Sequence, residues 1–168
     1  MDERTRADFD AAVEAGKKYE DFVMSVLWDN HIVCLPHRSR YYQWEFGENQ
    51  QGIEIKEDRK FSTTGNLFVE TRERRTTDES SSWRPCGIYD DPPPRLYCIG
   101  DYSTIYLLPV SVLRWMAEAG RFGHQVANGT GTAYGYLVPT VTATKFAVDI
   151  FTPNRAATVP ANDDEIPF

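Results

Sequence analysis

The stretch QGIEIKED, residues 51 to 58, sets a carboxylate, Glu54, and an ammonium, Lys56, two positions apart. In a strand, side chains alternate with a period of two, so Glu54 and Lys56 share one face while Ile53 and Ile55 take the other. Such a pair is either a solvent-facing ion pair or part of a site. Other acids lie near it in the sequence: Glu48 in the polar turn just before, Glu70 at the end of the apolar half of NLFVETRE, and Glu20 on the first helical stretch. Three or four carboxylates meeting at one sheet edge would call for a divalent cation. Mg²⁺ prefers hard oxygen ligands and usually takes one or two protein carboxylates, with water and phosphate filling its other positions. Lys56, on the same strand face, would orient or help deprotonate an attacking water and stabilise charge developing on a phosphate. His37 and His124 fall in no metal-binding or catalytic spacing and are assigned to neither role.

These side chains need elements to position them. Residues 6 to 28 read as a long helix: Thr5 and Asp8 resemble a capping box, and Phe9, Val13, Gly16, Val23 and Leu27 recur at steps of three and four. Glu20 falls on that stripe, where a charge is costly to bury unless it is paired or bound to a cation; the alternative is that it tilts out at the stripe's edge. HIVCLP, YYQWEF, GIEIKE and NLFVETRE follow as four strand-like runs, the last reached through an STTG turn with Gly65. Residues 74 to 95 are rich in Ser, Asp and Pro and read as a long loop around a small hydrophobic patch. LYCIG and STIYLLP form a strand pair turned at GDY, and VSVLRWMAEAG is a helix stopped by Gly120. RFGHQVANGTGTAYG reads as a Gly-rich loop that lacks the phosphate-binding pattern, and TVTATKFAVDIF as either a short helix or a strand. The expectation is an α/β (α+β) domain over residues 1 to 151, with a central mixed sheet flanked by helices. A polar, proline-spaced tail, residues 152 to 168, is expected to be mobile.

With 168 residues the chain suits one domain with a proper core. A net charge of −7 argues against coating nucleic acid by bulk electrostatics, but Arg38 and Arg40, and Arg72, Arg74 and Arg75, form local basic groups able to contact DNA. No apolar run is long enough to cross a bilayer, and the first residues, MDERTRADFD, lack the apolar centre of a signal peptide, so the expected location is cytoplasmic with no membrane partner. Cys34, Cys86 and Cys98 have neither zinc spacing nor an even count, and read as buried thiols.

A helix carrying a Glu, then a β-hairpin bearing an acid, then Glu-x-Lys between apolar neighbours resembles the PD-(D/E)XK nuclease superfamily over roughly residues 15 to 115. The resemblance implies a restriction-endonuclease-like mixed sheet flanked by helices, Mg²⁺ or Mn²⁺ held by acids, and a lysine assisting phosphodiester hydrolysis. Glu54 and Lys56 match the Glu-x-Lys pair, and Glu20 matches the helix carboxylate of many members. No Pro-Asp precedes the strand, so the first acid falls to Glu48, in the turn between Gly47 and Gly52, with Glu45 as the alternative. The implied catalytic set is Glu20, Glu48, Glu54 and Lys56, with the three acids as metal ligands.

The last residues, NDDEIPF, look like the C-terminal tip of bacterial single-stranded DNA-binding proteins, in which an acidic run precedes Ile-Pro-Phe. That resemblance implies a docking peptide for genome-maintenance proteins, made here of Asp163, Asp164, Glu165, Ile166, Pro167 and Phe168. An acidic segment gains on-rate by electrostatic steering, and a proline before the anchor lowers its ordering cost. Together the features lead to a Mg²⁺-dependent deoxyribonuclease addressed to host replication and repair proteins, as a phage protein would be. The alternative is a non-catalytic interaction protein that mimics the tip and competes for its partners.

Overall fold

The computed structural model describes residues 3–37, 39, 49–74, 76–78 and 80–153. Helix α1 runs over Glu3–Asp29. Its packed stripe is Tyr19, Val23, Val26 and Leu27, steps of four, three and one that hold one side of a 3.6-residue helix. Each fully buried apolar side chain there contributes about 1.5–3 kcal/mol. The helix ends where His31 takes a left-handed φ of 63° and Ile32 N–H returns to Leu27 O at 2.8 Å, a carbonyl that also accepts from Asn30 N–H at 3.1 Å.

HIVCLP, expected as a strand, is irregular over residues 32–35, and among the described residues its strand pairing is a bridge between Pro36 and Asn49. Val33 and Leu35 are exposed, and the Leu35 N–H goes to the Gln51 side chain at 2.7 Å instead of to a neighbouring strand. YYQWEF lies outside the described residues.

Two four-stranded sheets carry the rest. The first has the order β1 (Ile53–Glu57), β4 (Leu96–Gly100), β5 (Ile105–Pro109) and β8 (Asp149–Phe151). It is mixed: β1 lies parallel to β4, with Ile53 opposite Leu96, while β4–β5 and β5–β8 are antiparallel. The second sheet is antiparallel, in the order β3 (Arg84–Pro85), β2 (Asn66–Glu73), β7 (Ala133–Pro139) and β6 (Val126–Ala127). Short helices α2 (Phe61–Thr64), α3 (Val110–Glu118) and α4 (Thr140–Phe146) complete the α+β fold.

The first sheet separates two cores. On one face Ile53, Ile55, Cys98, Ile105 and Leu107 pack on the α1 stripe. On the other, Tyr97, Ile99, Tyr106 and Leu108 meet Leu67 and Val69 of β2, Val138 of β7 and Leu113 of α3. The period-two alternation therefore turns Glu54 and Lys56 away from α1, toward the second sheet.

The hairpin that the resemblance implies, YYQWEF and GIEIKE turned at Glu48, falls largely outside the described residues, and β1 does not pair with β2. The pairing edge of β1 is taken by β4 and that of β2 by β7, and the α2 turn, closed by Gly65 at φ 69°, redirects the chain into the second sheet. The two sheets are joined at this crossing by Asp58. Its N–H bonds Gly100 O at 2.7 Å, and its carboxylate accepts from Lys60 N–H at 2.9 Å and Phe68 N–H at 2.8 Å.

Candidate functional site

The start of β1 is fixed before any charge enters. The buried Asn49 amide brackets Ile53, accepting from its N–H at 3.0 Å and donating to its carbonyl at 2.6 Å, which closes an edge that would otherwise be bare. From that anchor Glu54 points inward and is only 8% exposed. Its partner is Lys56, whose Nζ lies 2.9 Å from Glu54 Oε1 and 3.7 Å from Glu70 Oε2 on β2. One ammonium thus bridges a carboxylate from each sheet.

Glu70 is held by three features. Its N–H meets the hydroxyl of Tyr97, from the first sheet, at 3.4 Å. The β2–β7 register shifts between Glu70 and Arg72, a bulge of the kind that re-aims a side chain. The third is a 3₁₀ turn, Gly87–Tyr89, pressed against the strand. Gly87 has φ 58°, and a Cβ there would lie 2.5 Å from Glu70 O, so only glycine allows this approach. Arg114 of α3 pins the turn from behind through Nε to Ile88 O at 2.5 Å.

That docked turn delivers Asp90, a carboxylate that sequence reasoning missed. Asp90 lies at the surface, yet partial desolvation, then the charge of Glu54, pushes its carboxyl up, against the opposing pull of Lys56. Glu70 is also pushed up, by burial more than Lys56 pulls it down. Glu20, half-buried beside the α1 stripe, is raised by burial and feels both Lys56 and Glu54. Four carboxylates from four elements therefore share the field of one ammonium. No sequence period could mark Asp90, because it follows a loop turn.

The pair sits between two clefts. One, of about 200 Å³, is lined by Asn49, Gly52, Glu54, Asp90 and Arg95. The other, of about 390 Å³, is lined by Lys56, Asp58, Lys60, Phe68, Glu70 and Asn128. The donor set is all carboxylate oxygen and carries excess negative charge, which suits Mg²⁺ or Mn²⁺ by chemistry. Among the described residues, however, no three acids, histidines or cysteines are gathered in a form ready to hold a metal ion. Glu48 lies outside those residues.

No family model, curated protein or solved structure matches the chain. The residues alone carry the functional reading.

Of the expected site residues, the fold brings Glu20, Glu54 and Lys56 into one electrostatic neighbourhood and adds Glu70 and Asp90. Arg72 and Arg74 belong to a separate group in which their guanidinium carbons sit over aromatic rings. Arg72 lies 4.5 Å from the Tyr134 centroid and 5.3 Å from that of Trp83, and Arg74 lies 4.6 Å from that of Trp83. Arg38, Arg40, Arg75 and Asp163, Asp164, Glu165, Ile166, Pro167 and Phe168 lie outside the described residues. None of the helices among the described residues is long and apolar enough to cross a membrane.

Proposed function

We propose that this protein is a divalent-metal-dependent DNA nuclease that hydrolyses phosphodiester bonds and reaches host replication and repair proteins through its C-terminal residues. The observation that carries the reading is the position of Lys56 Nζ, 2.9 Å from Glu54 and 3.7 Å from Glu70, with Glu20 and Asp90 in the same field. Glu54 and Glu20, with Glu48, would hold the cation. When bound, it supplies neutralising charge at the phosphate and activates water.

The chain's own groups divide the remaining work. Lys56 orients the attacking water and stabilises negative charge as it develops on the phosphate. Glu70, its carboxyl pushed up by burial, sits within reach of that lysine and holds a proton more readily than an exposed carboxylate. Arg72 and Arg74 contact the DNA backbone beyond the site. The Ile-Pro-Phe terminus docks in an apolar pocket of its partner, steered by Asp163, Asp164 and Glu165.

The test is cleavage of linear, nicked, branched and single-stranded DNA by the full chain in Mg²⁺, in Mn²⁺ and in chelator. Metal-dependent cleavage is expected, and Lys56→Ala should abolish it while the protein stays folded. A well-folded protein inert on every substrate with either metal would sink the proposal. The acidic Ile-Pro-Phe terminus also favours a second reading, a non-catalytic competitor for the same partners. Under that reading deletion of Phe168 removes all activity and Lys56→Ala changes nothing.

A further inference from the structure

Beyond Glu70, β2 runs into a group whose aromatic rings the chemistry above does not use. Trp83 and Tyr134 pack edge to face, with centroids 4.9 Å apart at 71°. Arg72 and Arg74 are laid on these rings, and Arg74 is tethered by Nε to Gly131 O at 3.2 Å. Beside them opens a cleft of about 600 Å³ lined by Thr71, Arg72, Trp83, Pro85, Tyr89 and Gln125. Arg84 at its rim is neutralised by Glu73, whereas the exposed Arg72 meets no carboxylate among the described residues. In a chain of net charge −7, this leaves a local cation mounted on an aromatic surface.

We infer that this cleft is a stacking platform for one or two unpaired bases of single-stranded DNA, next to the bond that Lys56 serves. Three features select that occupant. Flat aromatic and guanidinium surfaces stack on the π-face of any base, and a base is available to them only when it is unpaired. Arg72 supplies a positive charge for the adjoining phosphate. The place also fits: Arg72 follows Glu70 on β2, so the platform adjoins the strand whose carboxylate meets Lys56. The inference rests on the nuclease reading for its site, and it names that site's substrate as single-stranded or frayed DNA.

Binding is measured without metal, so that no cleavage enters, by fluorescence anisotropy of a labelled 12-nucleotide oligo(dT) and of a blunt duplex of equal length. Wild type is expected to prefer the oligo(dT). Trp83→Ala should weaken oligo(dT) binding about tenfold, in line with the loss of one stacked base, while Trp83→Phe stays within about threefold. Arg72→Gln should lower the salt slope by about 0.7, one phosphate contact on a single strand. Equal affinity of wild type for the two DNAs, or wild-type oligo(dT) binding by Trp83→Ala, would overturn the inference. A protein that shows this binding pattern and cleaves nothing refutes the nuclease reading and leaves the platform standing. An active nuclease indifferent to Trp83 does the reverse.

Discussion

Replacing Lys56 by Met keeps the length of the side chain and removes its charge, which isolates what the ammonium does for the fold. At an effective dielectric constant of about 20, unit charges at the 2.9 and 3.7 Å separations attract by roughly 6 and 4.5 kcal/mol before solvation is counted. Much of that is offset, because the Lys56 side chain is 35% exposed and regains hydration when the pair is broken. Breaking a fully buried pair costs about 3–5 kcal/mol, so this partly exposed one should cost about 2–3 kcal/mol. At about 2–4 °C per kcal/mol for a chain of this size, the expected loss is roughly 5–10 °C in Tm at pH 7.5. A folded majority survives, since stabilities of about 5–15 kcal/mol are usual. Differential scanning calorimetry on wild type, Lys56→Met, Glu54→Gln and the double variant gives the coupling directly. The double variant should be more stable than Lys56→Met, because it leaves less uncompensated charge. Lowering the pH should also shrink the Lys56→Met deficit, since stripping Lys56 removes a pull that keeps Glu70 ionised and the stranded carboxylates then take up protons. A Lys56→Met protein as stable as wild type, with no coupling to Glu54, would refute the argument and reduce the pair to a surface contact.

Two other expectations follow from the same geometry. Because burial raises Glu70, its stabilising contribution is complete below the ordinary carboxylate value and is lost as pH rises through the folded-state value. Glu70→Gln should therefore raise the Tm at pH 8, show no difference below about pH 4, the usual carboxylate range, and lower the cleavage rate; a variant less stable than wild type at pH 8 would contradict this. Asp58→Ala strands the Lys60 and Phe68 N–H groups and should cost about 1–3 kcal/mol, with Asp58→Asn recovering part of it. Amide hydrogen exchange should quicken at Phe68 and Glu70, and unchanged protection there would count against the role given to Asp58.

The legible parts of the sequence were those in which one rule acts alone. LYCIG and IYLLP are buried on both faces and read as continuous apolar strands, and Glu54 and Lys56 share a face through the strand period. TVTATKFAVDIF holds both a helix and a strand, split after Ala147, which explains why neither spacing prevailed. AYGYLVP was passed over because Gly135 suggested a loop, whereas the strand needs that glycine where its backbone passes close to Val69 O. HIVCLP has strand composition, but among the described residues it pairs at Pro36 alone, with Asn49, and composition cannot supply a partner. The site was legible only in part. Glu54–Lys56 is a local pattern, while the contributions of Glu70 and Asp90 depend on a bulge, a glycine contact and the meeting of two sheets.

Asp58 has a further bearing on how the protein can move. The Lys56 bridge is made from groups on opposite sides of a seam, and one residue two positions away fastens that seam, its N–H to Gly100 of β4 and its carboxylate to the N–H groups of Lys60, just before α2, and Phe68 of β2. The spacing of the reacting groups is thus set by a clasp lying outside them. If the protein cleaves DNA as proposed, parting the sheets to admit a strand would strain the Asp58 hydrogen bonds first, and this residue would be the fulcrum that couples substrate entry to the alignment of Lys56.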